Sequence, residues 1–322
     1  MKIINEKNSQ EFKNGVITIG GFDGIHFAHQ IIVEKLLKNK ENLKTVGGLV
    51  TFEPLPYLYF HPDFHFLLTP FSEKVEILAT FGLDFIFVYN FDNSFANLEP
   101  LAFLNKLKND LLPKKIIVGN DFRFGKNREG DTNLLKNFCE HENILIEILP
   151  PIKKAGIEVK STTIREKLIL GNIRIANLLL GREYSLKGKV VKGKGRGNLL
   201  GYKTANVELL DKNKLVPADG VYACKVKIAA DDKIYLGVLN IGERPTFFEK
   251  ERSIEVHILN FEKDILEKEL EIFFIQRIRP EFKFEDVEKL KARIKEDIET
   301  SIKIFKKEKI WEENAKYVEK PQ

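Results

Sequence analysis

Between residues 15 and 149 the chain alternates short apolar runs with amphipathic stretches, and this alternation constrains its fold more than any other feature. In order the segments read VITIG, HQIIVEKLLKN, TVGGLVTF, PFSEKVEILATF, DFIFVYNF, LAFLNKLKNDLL, KKIIVG, LLKNFCEH and ILIEIL. A two-residue period marks strands and a period near 3.6 marks helices; segments that take turns in this way build a parallel sheet covered by helices. Pro150 and Pro151 punctuate the end of the pattern. Two helices are expected next. One covers 162–170, capped by Ser161 or Thr162 and stopped by Gly171, and the other covers 173–180 and ends at Gly181.

Beyond Tyr184 the texture changes to shorter alternating runs separated by Gly, Asn and Asp: SLKGKVVKG, TANVELL, GVYACKVKI, KIYLGVLNIG, SIEVHILNF and LEIFFIQRIRP. Such spacing predicts a small antiparallel barrel or sandwich. Residues 285 to about 307 return to an amphipathic helical period ahead of a charged tail. A chain of 322 residues exceeds what one hydrophobic core organises, so the change of texture at 183/184 reads as a domain boundary.

The 52 basic and 47 acidic residues leave a formal net charge of +5, too small an excess to call for nucleic acid and enough for a modest attraction to anionic nucleotides. Cys139 and Cys224 have neither CxxC nor Cys/His spacing, which argues against a disulfide framework or a structural zinc and suits reduced thiols. The opening MKIINEKNSQEF has no long apolar run, and no segment offers the ~20 uncharged apolar residues of a membrane helix. The expectation is a cytoplasmic protein with small-molecule partners and neither membrane nor nucleic acid.

GGFDGIHFAH at 20–29 follows an apolar strand and opens an apolar-periodic helix, which places it at the carboxyl edge of the sheet, where such sheets bind ligands. His26 and His29 are three residues apart and share a face of the first helical turn, where free amides and the helix dipole favour phosphate. Two imidazoles aimed there can donate to phosphate oxygens while charge develops in nucleotidyl transfer. Gly20, Gly21 and Gly24 let backbone approach a nucleotide closely. An HxxH pair without further nearby ligands falls short of a metal set, and a Gly-rich turn with two surface histidines has the same local pattern. Within 118–131, Asp121 stands beside Arg123, Lys126 and Arg128, which can serve as countercharges to an anion; a solvated charged hairpin is the plain alternative. Ser161, Thr162 and Arg165 stand at a helix start suited to phosphates.

KGKGRGNLLGYKTANVEL at 192–209 combines Gly193, Gly195, Gly197 and Gly201 with Lys192, Lys194 and Arg196. Exposed amides beside positive charge make a polyphosphate cradle or a basic hairpin, and the spacing does not match the P-loop pattern GxxxxGK[ST]. In SIEVHIL, strand alternation puts Glu255 and His257 on one face and Ile254, Val256 and Ile258 on the other.

GGFDGIHFAH resembles the GNFDGVHxGH signature of FAD synthetases, nucleotidyltransferases of the HxGH type. TFEPLP at 51–56 is similar to that family's TFEPHP, VGNDFRFGKNREGD at 118–131 to VGxDFRFGKxRxGD, and STTIRE at 161–166 to SSTxIRE. The stretch from 192 resembles GxxxGRxLGFPTAN of riboflavin kinases. PADGVYA at 217–223, NIGERPTF at 240–247, IEVHIL at 254–259 and RIRPEFKF at 277–284 follow in that family's order. The chain thus resembles the bacterial bifunctional riboflavin kinase/FAD synthetase family from about residue 15 to about 304.

The resemblance implies a doubly wound α/β FMN adenylyltransferase domain over 1–183 and a riboflavin kinase domain over 184–322, a six-stranded barrel with a C-terminal helix. It further implies ATP and phosphate binding by Gly20, Phe22, Gly24, His26, His29, Ser161, Thr162 and Arg165, with the two histidines serving catalysis. In the second domain Gly193, Gly195, Gly201 and Asn206 would bind ATP, Thr204 and Asn206 would ligate Mg²⁺, and Glu255 would be the general base. Asp121, Phe122, Arg123 and Arg277 would contact flavin, with riboflavin, FMN and FAD as substrates and products. Ala28, Leu55, Lys160 and Lys203 depart from the family's Gly, His, Ser and Pro. Two rivals are a single-function FAD synthetase with a non-catalytic flavin-binding barrel and a flavin-sensing regulator.

Overall fold

The computed structural model describes residues 1–193, 202–245, 250–282 and 286–308. Contacts divide the chain into two compact units, Met1–Thr163 and Ile164–Gln322. The first holds β1 (Lys2–Ile4), β2 (Val16–Ile19), α1 (Phe27–Asn42), β3 (Gly47–Glu53), α2 (Pro56–Phe60), α3 (Phe71–Ala79), β4 (Phe85–Asn90) and α4 (Asn93–Ala96). It continues with α5 (Pro100–Leu111), β5 (Lys115–Gly119), α6 (Thr132–His141), β6 (Leu145–Leu149) and a small hairpin, β7 (Lys153–Lys154) with β8 (Ile157–Glu158).

The six long strands form one parallel sheet in the order β1-β4-β3-β2-β5-β6. Strand order runs outward from β2 through β3 to β4 and then reverses through β5 to β6, so the switch point of the doubly wound sheet lies between β2 and β5. Both faces of β2 are covered, which is why all four of its residues are buried. Ile17 and Ile19 join Phe103, Leu104, Leu107 and Leu135 on one side; Val16 joins Val33, Leu36 and Leu78 on the other. Each such side chain contributes roughly 1.5–3 kcal/mol of burial. The edge strand β1 was not expected. Its KII has two exposed residues and no periodicity to read, and it forms by pairing with β4.

Across the unit boundary runs α7 (Ser161–Ile169), and the second unit continues with α8 (Ile173–Leu180), β9 (Ser185–Val191), β10 (Ala205–Leu209), β11 (Gly220–Ile228), β12 (Ile234–Pro245), β13 (Lys250–Ile258), β14 (Glu269–Arg279) and α9 (Val287–Lys307). The six strands close into an antiparallel barrel, β10-β13-β12-β11-β14-β9. Closure leaves no unpaired edge. The helix predicted from 285 starts at Val287, because the Asp286 carboxylate caps it by accepting from Glu288 N at 2.9 Å.

Residues 164–183, expected with the first domain, bond to the barrel. Asn177 Nδ2 donates to Phe274 O and Asn177 Oδ1 accepts from Tyr184 N, both at 2.8 Å, and Ala218 N donates to Leu168 O at 3.1 Å. The contact division therefore falls at 163/164 rather than 183/184. On the outer face of the barrel Val221, Ala223, Val238 and Ile275 pack with Phe305 of α9. A buried ion pair joins the same elements, with Arg279 Nε and Nη2 donating to the Asp297 carboxylate at 2.8–3.1 Å.

Candidate active sites

The first candidate site is built on the loop between β2 and α1, at the carboxyl edge beside the switch point. His26 is the N-cap of α1 rather than a member of its first turn. Its Nδ1 accepts from His29 N at 3.4 Å, which leaves the proton of a neutral His26 on Nε2. The His26 and His29 rings stack with centroids 3.6 Å apart, and Phe22 stacks on His29 at 4.4 Å. Phe22, expected to bind ATP, is only 3% exposed and packs in the core, so it can offer a nucleotide no more than its backbone.

Backbone in this loop is left-handed at Phe22 (φ 47°), Gly24 (φ 91°) and Ile25 (φ 39°). For a bulky or β-branched residue that conformation costs roughly 1–3 kcal/mol and persists only where surrounding bonds impose it. Those bonds are present. Gly24 N donates to Thr69 Oγ1 at 2.7 Å, the Asp23 carboxylate accepts from Leu68 N at 3.2 Å and Thr69 N at 2.8 Å, and Ser161 Oγ donates to Asp23 O at 2.8 Å. Lys74 Nζ donates to Gly21 O at 2.7 Å. Burial draws the Lys74 pKa down to about 8 against the opposing pull of Asp23 and Glu53.

Lys74, Thr69 and the Asp23 carboxylate were not among the expected site residues. One signal was available for Lys74: it precedes the buried Leu78 by four residues and so occupies the core-facing stripe of α3. Leu55, where the resemblance expects His, is buried beneath the loop, its Cδ2 3.5 Å from where a Gly21 Cβ would sit. Ala28 is half-buried in the first turn of α1.

Of the other expected contacts, Ser161 opens α7 with its hydroxyl already bonded to the loop, Thr162 follows it exposed, and Arg165 lies further along the helix. Asp121 and Arg123 are exposed after β5, and Phe122 stacks on Phe124 at 5.3 Å. Paired bonds between Phe124 and Gly130 do make 124–130 a hairpin, with Arg123 Nη1 3.9 Å from the Asp131 carboxylate that caps α6. Beyond β3 lies a feature not singled out from the sequence: Tyr57, Phe60, His61, Pro62, Asp63, Phe64 and Phe66 line an open cavity of about 380 Å³.

The second candidate site lies on the barrel. Register sets Asn206 of β10 opposite Glu255 of β13, and Glu255 opposite Asn240 of β12, so three polar side chains form one cross-strand row. Asn240 opens the 240–247 motif, and strand pairing supplies its place in the row. The row shares a barrel face with Val238, which pairs with His257 and packs with Phe305. Gly193 abuts Asn206 so closely that a Cβ there would lie 1.9 Å from Asn206 Nδ2, and only glycine leaves that amide room. His257 Nδ1 donates to Lys203 O at 2.8 Å and thereby holds the residue before Thr204, the position where the family's Pro is replaced. Gly195 and Gly201 lie outside the described residues. Arg277, expected to touch flavin, donates through Nη2 to Asp219 O at 2.5 Å and fits against Gly171 and Gly220, bracing the turn between α7 and α8.

Residues 8–163 match the FAD synthetase family and residues 180–305 match the riboflavin kinase family. The bifunctional riboflavin kinase/FMN adenylyltransferase of Buchnera aphidicola subsp. Schizaphis graminum is 38% identical over 300 residues, 91% of this chain and 94% of that protein. The Escherichia coli (strain K12) protein of the same description is 35% identical over 294 residues, 90% of this chain and 92% of its own length. A crystal structure described as a macrolide-efflux protein from Streptococcus pneumoniae superposes with a TM-score of 0.85 at 30% identity, covering 93% of this chain and 98% of that one. The efflux description is that protein's own. Among the described residues here, no helix is long and apolar enough to cross a membrane. Identity at this level along nine-tenths of the chain, with a family match on each side of the unit boundary, makes this chain a member of the bifunctional riboflavin kinase/FMN adenylyltransferase family.

Proposed function

We propose that the chain makes FAD in two steps: the barrel transfers the γ-phosphoryl group of ATP to riboflavin, giving FMN and ADP, and the α/β unit transfers AMP from a second ATP to FMN, releasing pyrophosphate. The observation that carries this reading is that the two family matches fall on separate compact units, each with its own constellation of polar groups. Adenylyl transfer is assigned to 1–183 and phosphorylation to 184–322, with 164–183 acting as an outer brace of the barrel.

In the α/β unit the loop amides and the N-terminus of α1 meet the phosphates of ATP, and the stacked His26 and His29 donate to the oxygens on which charge grows. Ser161 and Thr162 complete the anion site from the start of α7. The exposed rings of the 57–66 segment suit stacking by a planar isoalloxazine, with Asp121 and Arg123 available to its polar edges.

In the barrel Glu255 accepts the proton of the ribityl hydroxyl, with the amides of Asn206 and Asn240 on either side of it in the cross-strand row. Thr204 and Asn206 offer neutral oxygen donors of the kind Mg²⁺ takes. Among the described residues no three or more His, Cys, Asp or Glu side chains cluster as a metal cage, so an ion held there would draw its other ligands from ATP and water. When bound, Mg²⁺ supplies neutralisation of the phosphate charge. The buried free thiols Cys139 and Cys224 suit the cytoplasm, where this chemistry is placed.

The test is incubation of purified protein with riboflavin, ATP and Mg²⁺, followed by chromatography. FMN and FAD together are expected. FAD from supplied FMN with no turnover of riboflavin would reduce the chain to a single-function synthetase, and no product from either flavin would refute the proposal.

A further inference from the structure

We propose that Lys74 is a positioning residue for adenylyl transfer, holding the Gly21 carbonyl inward so that amides of the 20–25 loop face the nucleotide. The inference rests on assigning that reaction to the α/β unit. Lys74 belongs to the first turns of α3, is 1% exposed, and reaches Gly21 O with Nζ at 2.7 Å. In a planar trans peptide the carbonyl of residue 21 and the N–H of Phe22 point in opposite directions, so drawing the carbonyl inward turns the N–H outward. Released from Lys74, that peptide is free to rotate and present an oxygen where polyphosphate needs a donor.

Two further features tie Lys74 to the loop. The loop holds Phe22 and Ile25 in left-handed conformations, so its shape depends on anchors; Thr69 and Asp23 secure one end and Lys74 the Gly21 end. The charged groups that face the ammonium are Asp23 in the loop and Glu53 at the end of β3, so Lys74 is also the countercharge between these segments. A buried ammonium is costly, and an apolar side chain would suit the core-facing stripe it shares with Leu78.

The experiment uses the full chain with Lys74→Met and Lys74→Arg. Initial rates of FAD formation from FMN and ATP are measured from pH 6.5 to 10, with thermal melts followed by circular dichroism on the same preparations as the control for folding and riboflavin phosphorylation as the control for the barrel. Lys74→Met should lower kcat/KM for FAD formation by roughly tenfold or more, the size expected for losing one charge-assisted contact, and leave phosphorylation unchanged. In the wild type FAD formation should fall as pH rises past about 8, where burial has moved this ammonium, and Lys74→Arg should keep activity while shifting that fall upward. Wild-type FAD kinetics in Lys74→Met would overturn the proposal, as would superimposable alkaline limbs for wild type and Lys74→Arg. The second comparison decides alone should the Met variant not fold. A wild-type chain that makes FMN but never FAD refutes the assigned reaction instead, which separates the two failures.

Discussion

Substituting Glu255 by Gln separates the chemistry of the barrel from its architecture. Glu255 stands between Asn206 and Asn240 in one cross-strand row, and both neighbours are neutral amides. Glutamine preserves the size, the strand pairing and the capacity to bond across the row; it removes the negative charge and the ability to take a proton. A positioned general base accelerates by roughly 10²–10⁴-fold, about 3–5 kcal/mol of barrier, and that full factor should be lost because no neighbouring carboxylate shares the row. The assay follows riboflavin to FMN by chromatography under saturating ATP and Mg²⁺, with riboflavin affinity measured separately by fluorescence quenching. We expect kcat to collapse, riboflavin affinity to persist, and supplied FMN still to become FAD at the wild-type rate. Wild-type phosphorylation in Glu255→Gln would refute the general-base role, and loss of both activities would show that the two units do not act separately.

His29→Ala should reduce FMN-to-FAD conversion by roughly tenfold or more while phosphorylation continues, since one charge-assisted donor is worth about 1.4 kcal/mol; an unchanged FAD rate in the folded variant contradicts the phosphate contact. Asp297→Ala removes the carboxylate that accepts from Nε and Nη2 of the buried Arg279 guanidinium. The cost should be about 3–5 kcal/mol, lowering the thermal midpoint of the barrel unit by roughly 10 °C, with Asp297→Asn intermediate; a drop below about 2 °C would show the pair to be dispensable. Lys74 also makes stability depend on pH. Its folded pKa of about 8 lies below the ordinary 10.5, so between these values the unfolded chain binds the extra proton and stability rises with pH. Relative to Lys74→Met, the wild type should therefore gain about 3 kcal/mol of unfolding free energy from pH 8 to 10.5 in denaturant titrations, and a flat difference would contradict the burial of its ammonium.

Much of the candidate chemistry was legible in one dimension because it depends on local order. The alternation in SIEVHIL places Glu255 opposite the buried Ile254, Val256 and Ile258. Gly181 stops α8 in a left-handed C-cap, as its position after the apolar period predicts. Roles that need a partner from a distant segment were not legible. Phe22 reads as a loop residue beside a nucleotide and turns out to be the base of a ring stack in the core; His26 reads as a helical residue and caps the helix instead. Arg277 lies in a motif shared with kinases, and its guanidinium braces a turn more than a hundred residues earlier in the chain.

By itself the sequence determined the two-part character of the chain: hydrophobic period, turn residues and motif order are local properties, and they dictate a helix-covered parallel sheet followed by short antiparallel strands. Only the tertiary structure decided which strand ends lie at the switch point, that the barrel closes, and that α8 bonds to it. The same holds for the site's supports. A lysine in α3 becomes an interior anchor only because packing brings it under Gly21 and removes it from water, and Asn240 joins Glu255 only through strand register. Burial and register are properties of long-range contacts, and a residue's type and its immediate neighbours do not encode them.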